Sequence, residues 1–326
     1  MSFQKSVESG EVIVLSKTKT TDEILLVISF NEDGLKALPV SGTALGGKSL
    51  ELSDILSSDI SLPNLRASFL ANSRDLKSSA KTYSWSEVKF PFSLDQRVSW
   101  AFGMTYLDHQ NETGIAESVL FQKEIQAPVH MGERISWRPH LDYETEVGLL
   151  VDLKKPNKVG YFLAVDFTDR GVQVMNYVKS QPAPSFRKAK SFAQGLGLGS
   201  IAVFGDARVW PMLGADLDWN GQRVQALRAT DCAIPIQGFL ERVKEGQANQ
   251  STPAARDFDV ILTGTPGGVI FRGPSTWESV RLFLSTFSMT GAKKAWLSRF
   301  AFMKPQDRLS FKSSELGYGE IQVAPD

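Results

Sequence analysis

Glu144 and Glu146 stand two residues apart in the run Leu141-Asp142-Tyr143-Glu144-Thr145-Glu146-Val147-Gly148-Leu149-Leu150-Val151. On an extended strand, side chains two apart share a face, so both carboxylates project together and Tyr143, Thr145 and Val147 take the other face. Adjacent carboxylates repel each other unless a cation or proton lies between them. The apolar run behind them carries the strand into a core, which raises that cost. A third acid, Asp166, ends the apolar run 161–165, where a buried strand would finish. Three carboxylates with no cysteine or histidine pair nearby favour Mg²⁺, Mn²⁺ or Ca²⁺ over zinc. Spacing alone fits a second arrangement equally: a solvated strand edge whose glutamates pair with lysines. Asp169 competes with Asp166 for the third position.

The elements that must position these acids are short and β-rich. Strand-like runs cover 11–16 and 24–30, and Asn31-Glu32-Asp33-Gly34 follows as a polar turn. Residues 50–56 and 64–77 have helical apolar spacing. The stretch 81–97 contains Pro91 and shows no period. Read as a linker, it divides the chain into a small N-terminal β-rich domain, 1–97, and a larger domain, 98–326. In the larger part, strands are expected at 100–104, 146–151, 160–165 and 200–204. Runs 215–219 and 222–227 flank Asn220-Gly221, a hairpin signal because both turn residues take positive φ. An amphipathic helix at 234–244 leads to a polar loop at 247–256. A buried strand at 258–263 ends in Gly264-Thr265-Pro266-Gly267-Gly268. Residues 277–300 read as helix broken at Gly291, and strands at 308–311 and 320–323 close the chain. The fold class is α+β, mostly β.

The totals bound the function. The 326 residues are 42% hydrophobic and 22% charged, an ordinary globular balance. Basic and acidic side chains number 36 each, which gives no support to a nucleic-acid or anionic-membrane binder. The single cysteine, Cys232, rules out an internal disulfide framework and reads as a small buried hydrophobe. Residues 1–10 are polar and lack the apolar stretch of a signal peptide, and the run 24–30 is too short to span a bilayer. A cytoplasmic protein with no membrane segment is expected.

Several separated blocks, in order, resemble the fumarylacetoacetate hydrolase family. They are Gly103-Met104-Thr105-Tyr106-Leu107-Asp108-His109, Phe121-Gln122-Lys123, and Asp142-Tyr143-Glu144-Thr145-Glu146. Then come Gly160-Tyr161 running to Asp166 with Arg170 and Gln173 beyond, Ala189-Lys190-Ser191-Phe192, and the run 217–225 around Asn220-Gly221. The last, Ile261-Leu262-Thr263-Gly264-Thr265-Pro266-Gly267-Gly268, is the most specific. The resemblance covers Val98 onward; the first ninety-odd residues add little. It implies a mixed β-sandwich roll, a Mg²⁺- or Mn²⁺-type ion, a small 2-oxo acid substrate and a homodimer. It implies Glu144, Glu146 and Asp166 as metal ligands, and Asp108 as a fourth. It pairs His109 with Glu112 as a base dyad and makes Lys190 the active-site lysine. Lys123, Arg170 and Gln173 would hold the substrate carboxylate and ketone, and Thr265 would stand on a substrate-side loop. Three positions depart from the family pattern. Thr105 replaces an asparagine, Gly171 an aspartate after the arginine, and Ala193 an aspartate after Ser-Phe. The segments 247–256 and 275–303 look like insertions, the second a lid or dimer contact.

The implied chemistry is enolate chemistry on a 2-oxo acid. Its carboxylate and ketone oxygens can chelate one cation, which acts as a Lewis acid when a bond at C3 breaks. The first expectation is a hydrolase cleaving a C–C bond in an acylpyruvate or related 3-oxo acid. The same enolate serves a lyase, either an oxaloacetate-type decarboxylase or a 2-keto-3-deoxy sugar-acid dehydratase, or an isomerase. A non-catalytic relative that keeps the metal is the reading from another class. His130 and His140 have no partner pattern and are read as structural. Gly195-Leu196-Gly197-Leu198-Gly199 lacks the dinucleotide spacing and is read as a loop. The run 263–268 lacks the Gly-Lys-Ser/Thr ending of a phosphate cradle.

Overall fold

The structure is a computed structural model that describes residues 2–40, 50–71, 80–113, 117–249 and 257–325. A 13-stranded sheet carries the core. From one edge its path runs Lys81–Tyr83, Gly34–Pro39, Ile24–Asn31, Ile13–Thr18, Ile201–Gly205 and Val159–Asp166. It continues through Thr145–Val151, Asp259–Leu262, Val98–Gly103 and Val119–Glu124. Thr145–Val151 and Val159–Asp166 pair antiparallel at the centre, Glu146 opposite Ala164, and every residue of both is buried. Unbroken apolar runs suit strands covered on both faces. Alternation sends Val147, Leu149 and Val151 into one core layer and Leu150, Phe162 and Ala164 into the other. A second, 5-stranded sheet runs Gln222–Arg228, Gly214–Trp219, Arg308–Ser313, Gly317–Val323 and Arg134–Ile135. The hairpin at its edge turns on Asn220 and Gly221, with φ of 50° and 84°.

Expectation and structure part in several places. The sheet crosses the boundary placed at residue 97, because Ile13–Thr18 pairs with Ile201–Gly205. The stretch read as a linker contributes Lys81–Tyr83, which pairs with Gly34–Pro39, and Val88–Lys89, which pairs with Ile13–Thr18. Leu196–Leu198 is a strand on Val159–Asp166, not a loop, since its glycines admit close neighbours: a Cβ on Gly197 would stand 2.7 Å from Ile321. The break in the C-terminal helical segment falls before Gly291. Phe287, at φ 48°, closes Thr276–Thr286, and Ser288 caps Met289–Leu297 by accepting from the amide of Gly291. Ser288 is the better punctuation there, because its side chain satisfies a free amide at the helix start. The helix expected at 64–77 is seen as Leu62–Ala71, and residues 72–79 lie outside the described residues. The loop expected at 247–256 begins inside the helix Ile236–Ala248, and its residues 250–256 also lie outside them.

Three short helices that the apolar periodicity did not announce surround the end of the central strands: Leu107–Thr113, Arg170–Asn176 and Ala183–Lys190. Asp169 caps the second by accepting from the Val172 amide at 3.0 Å, which commits it to the helix start. Among the described residues no helix is long and apolar enough to cross a membrane.

Candidate active site

The central hairpin brings its acids together. Asp166 is the last residue of its strand, and its amide donates to the Glu144 carbonyl at 2.8 Å. Glu144, Glu146 and Asp166 each offer a carboxylate oxygen within 4.8 Å of the others, and all three are buried. The solvated strand edge is therefore excluded.

Buried cations close around them. Lys190, at the end of its helix, donates to Glu144 at 2.8 Å, Asp166 at 2.8 Å and the Thr168 hydroxyl at 2.7 Å. Lys123 donates to Asp166 and, at 2.6 Å, to the Gly195 carbonyl. Arg170 spreads over three partners: Asp142 at 2.6 Å, Glu144 at 2.7 Å and Gln173 at 2.7 Å. Asp142, wholly buried, also accepts from the amides of Tyr143 and Ile270. Its place in the Asp-Tyr-Glu block was the only signal for it.

The charges do not balance within this set. Asp142, Glu144, Glu146 and Asp166 make four carboxylates against the three cations Lys123, Arg170 and Lys190. Burial opposes ionisation of Glu144, but Lys190 and Arg170 outweigh it and hold its pKa at about 2. Burial and Asp166 push Glu146 well above the usual carboxylate range, Glu144 adding to this and Lys190 opposing it. Burial pulls Lys190 down, yet Asp166 and Glu144 leave it raised; on Lys123 burial wins and its pKa is lowered despite Asp166. Among the described residues, the hydrogen bond that reaches the Glu146 carboxylate comes from the Gly264 amide, at 2.9 Å. One further positive charge beside Glu146 would let all four acids stay ionised. An all-oxygen donor set with one carboxylate in excess fits a hard divalent cation.

The glycine loop after Asp259–Leu262 explains its own composition. Gly264 has φ 88°, and a Cβ there would meet the Thr105 hydroxyl at 2.2 Å. The Thr105 hydroxyl itself donates to the Thr263 carbonyl at 2.7 Å, so the residue that departs from the family pattern pins this loop. The loop amides serve carboxylates: Gly264 serves Glu146, Gly267 serves Asp108 at 2.9 Å, and Gly268 serves Glu112 at 2.8 Å. Gln225, the last residue of the 217–225 block, to which no role was assigned, donates to the Thr265 hydroxyl at 2.9 Å and accepts from the Thr145 amide at 3.0 Å.

One small pocket opens beside the cluster. Its polar wall comprises His109, Glu144, Arg170, Gln173, Lys190 and Thr265. Gly103, Met104 and Phe186 form the rest. His109 is buried, and its Nδ1 stands 3.4 Å from Glu112, three residues along the same helix. Other residues named from sequence lie elsewhere. Lys123 is fully buried against Asp166 and does not line the pocket. Asp108 is exposed, accepts from the Gly267 amide and the His109 amide, and is not one of the three clustered carboxylates.

The model of the fumarylacetoacetate hydrolase C-terminal domain matches residues 99–324. No curated protein matches this chain in sequence. Among solved structures, the fumarylacetoacetate hydrolase of the psychrophile Exiguobacterium antarcticum is similar with a TM-score of 0.61 at 17% identity, over 96% of this chain and 100% of that one. The 2-hydroxyhepta-2,4-diene-1,7-dioate isomerase of Mycobacterium marinum is similar with a TM-score of 0.55 at 15% identity, over 96% and 98%. At these identities the likeness is one of fold.

Proposed function

Because this chain belongs to the fumarylacetoacetate hydrolase family, we propose that it is a hydrolase that cleaves a C–C bond in an acylpyruvate or related 2-oxo acid with one divalent cation on Glu144, Glu146 and Asp166. The observation that carries this reading is that His109, paired with Glu112, and the buried Lys190 line one pocket, beside a cluster of four buried acids that face three cations. When bound, the cation supplies Lewis-acid stabilisation of the enolate charge on the departing pyruvate unit.

The chain's own residues do the rest. Nδ1 of His109 faces Glu112, which fixes the ring and leaves Nε2 as the basic nitrogen. Nε2 takes a proton from water, and the hydroxide adds to the distal ketone carbon. The bond between that carbon and C3 breaks with its electron pair left on C3. One product is the carboxylic acid of the acyl part; the other is the enolate of pyruvate, which takes a proton at C3. Lys190 adds positive charge beside the enolate. Gln173 and Thr265 offer hydrogen bonds from the pocket wall, and Arg170 holds Gln173 and Glu144 in place.

The test is turnover of acylpyruvates, oxaloacetate and 2-keto-3-deoxy sugar acids with Mg²⁺ or Mn²⁺, and Glu146→Ala as control. Acylpyruvate cleavage that disappears in Glu146→Ala supports the reading. Turnover of oxaloacetate alone moves it to a decarboxylase. Metal binding without turnover of any of them favours the non-catalytic relative.

A further inference from the structure

The pocket has one wall without charge, and the helix Ala183–Lys190 sets how far that wall stands from the acids. Phe186 and Lys190 are four residues apart on it, so they share a face and are offset by about 6 Å along the axis. Lys190 reaches the carboxylate cluster; Phe186 stands one turn away, where the tail of a 2-oxo acid held by its head would arrive.

The apolar wall is fixed in place. Phe186 packs edge-on against Phe121, with ring centroids 5.6 Å apart at 73°. It also covers Gly103 so closely that a Cβ there would stand 3.3 Å from the ring. Met104 holds a positive φ of 61°, which a side-chain-bearing residue adopts at a cost. Two residues of the helix carrying His109 maintain it. Gln110 donates to the Met104 carbonyl at 2.8 Å, and the Thr113 hydroxyl lies 3.0 Å from its sulfur. The strained backbone thus ties the apolar wall to the element that presents the base.

Lys190 and Arg170 are already paired with the site's own acids. Lys190 has three N–H donors, and Glu144, Asp166 and Thr168 use all three. Each guanidinium nitrogen of Arg170 has its own acceptor. A second carboxylate on the substrate would meet Met104 and Phe186 while the lining lysine and arginine are already paired with the site's own acids, and Glu112 nearby would repel it. An unpaired charge in such a place is strongly disfavoured.

We propose that the pocket selects a 2-oxo acid whose tail is uncharged and apolar, and that Met104 and Phe186 set this selectivity. The proposal rests on the acylpyruvate reading for the head group and goes beyond it in naming the tail. Its test is binding by calorimetry with Mn²⁺ present, comparing 2-oxopentanoate with 2-oxoglutarate, which have the same head and tails of opposite character. The apolar acid binds at least about tenfold tighter, in keeping with the cost of an unpaired buried charge. Met104→Gln narrows the ratio and Phe186→Leu keeps it. Equal binding, tighter binding of 2-oxoglutarate, or no binding of either overturns the proposal. A maintained preference without cleavage of any acylpyruvate overturns the hydrolase reading and leaves the pocket's selectivity standing.

Discussion

The inner and outer halves of the site are built on different principles. The inner half is Glu144, Glu146 and Asp166 on paired central strands, buried in the core, where side-chain ion pairs lock Glu144 and Asp166 and the Gly264 amide reaches Glu146. The outer half is the helix Leu107–Thr113 and the glycine loop, held together by backbone amides donating to Asp108 and Glu112 at the rim. Side-chain charges that are buried resist loss because removing one partner strands the other. Rim contacts of a half-exposed carboxylate to an amide cost little to disturb, and such an edge is where the proposed base dyad can be retuned without unfolding the protein.

Four measurements test that contrast, with effects on stability that run from several kcal/mol to less than about one. Arg170→Ala leaves Asp142 and Glu144 without their shared cation, and its expected loss is about 3–5 kcal/mol in urea unfolding of the metal-free protein. A loss below about 1 kcal/mol would erase the distinction between the halves.

Mn²⁺ at about a hundred times its Kd should raise the unfolding free energy by about 2.7 kcal/mol. Glu146→Gln abolishes the gain, whereas Asp108→Asn keeps it. Equal losses in the two variants would make Asp108 a fourth ligand and join the rim to the core.

The third measurement is pH. Glu144 is held at about 2 against an ordinary 4.5, so its ionisation stabilises the fold. A lowered carboxylate contributes fully above its unfolded value and loses its contribution as pH falls through its folded one. The metal-free protein should therefore lose on the order of 2 kcal/mol between pH 6 and pH 3 from this group, and Glu144→Gln should flatten that part of the profile.

The smallest stability effect is expected at Glu112→Gln, within about 1 kcal/mol, because the amide side chain can still accept from Gly268. Its effect belongs to turnover, at least about tenfold down, with the acid limb of the pH–rate profile displaced. A stability loss matching that of Arg170→Ala would show the rim to be as deeply built as the core.

The inner half was legible in the sequence because strand periodicity is short and strict. Glu144 and Glu146 two apart, and Asp166 at the end of an apolar run, needed only the pleat to bring them together. Lys190, Arg170 and His109 could be named only by resemblance, since a lysine or histidine on a helix of seven or eight residues leaves no period to read. Asp142 and Gln225 act through partners far along the chain, Gln225 reaching Thr265 forty residues away, and local spacing carries no trace of that. The continuity of the sheet across residue 97 went unread for a similar reason. The composition around 81–97 looked like a linker, while the pairing that joins the two parts lies between Ile13 and Phe204.

That pairing has a consequence for how the chain is made. Ile13 and Phe204 are 191 positions apart, 204 less 13; the strand Ile13–Thr18 can pair early with Ile24–Asn31 on one side, but residues 13–16 gain their partner on the other side only once Ile201–Gly205 exists. At a synthesis rate of about 5–20 residues per second, the first strands wait on the order of 10–40 s for their neighbour. Through that interval Val14 and Leu15 face water along an open strand edge, a template for pairing with other nascent chains. The finished fold hides this interval, and shielding of the edge until the centre of the sheet arrives should raise the yield of folded chain.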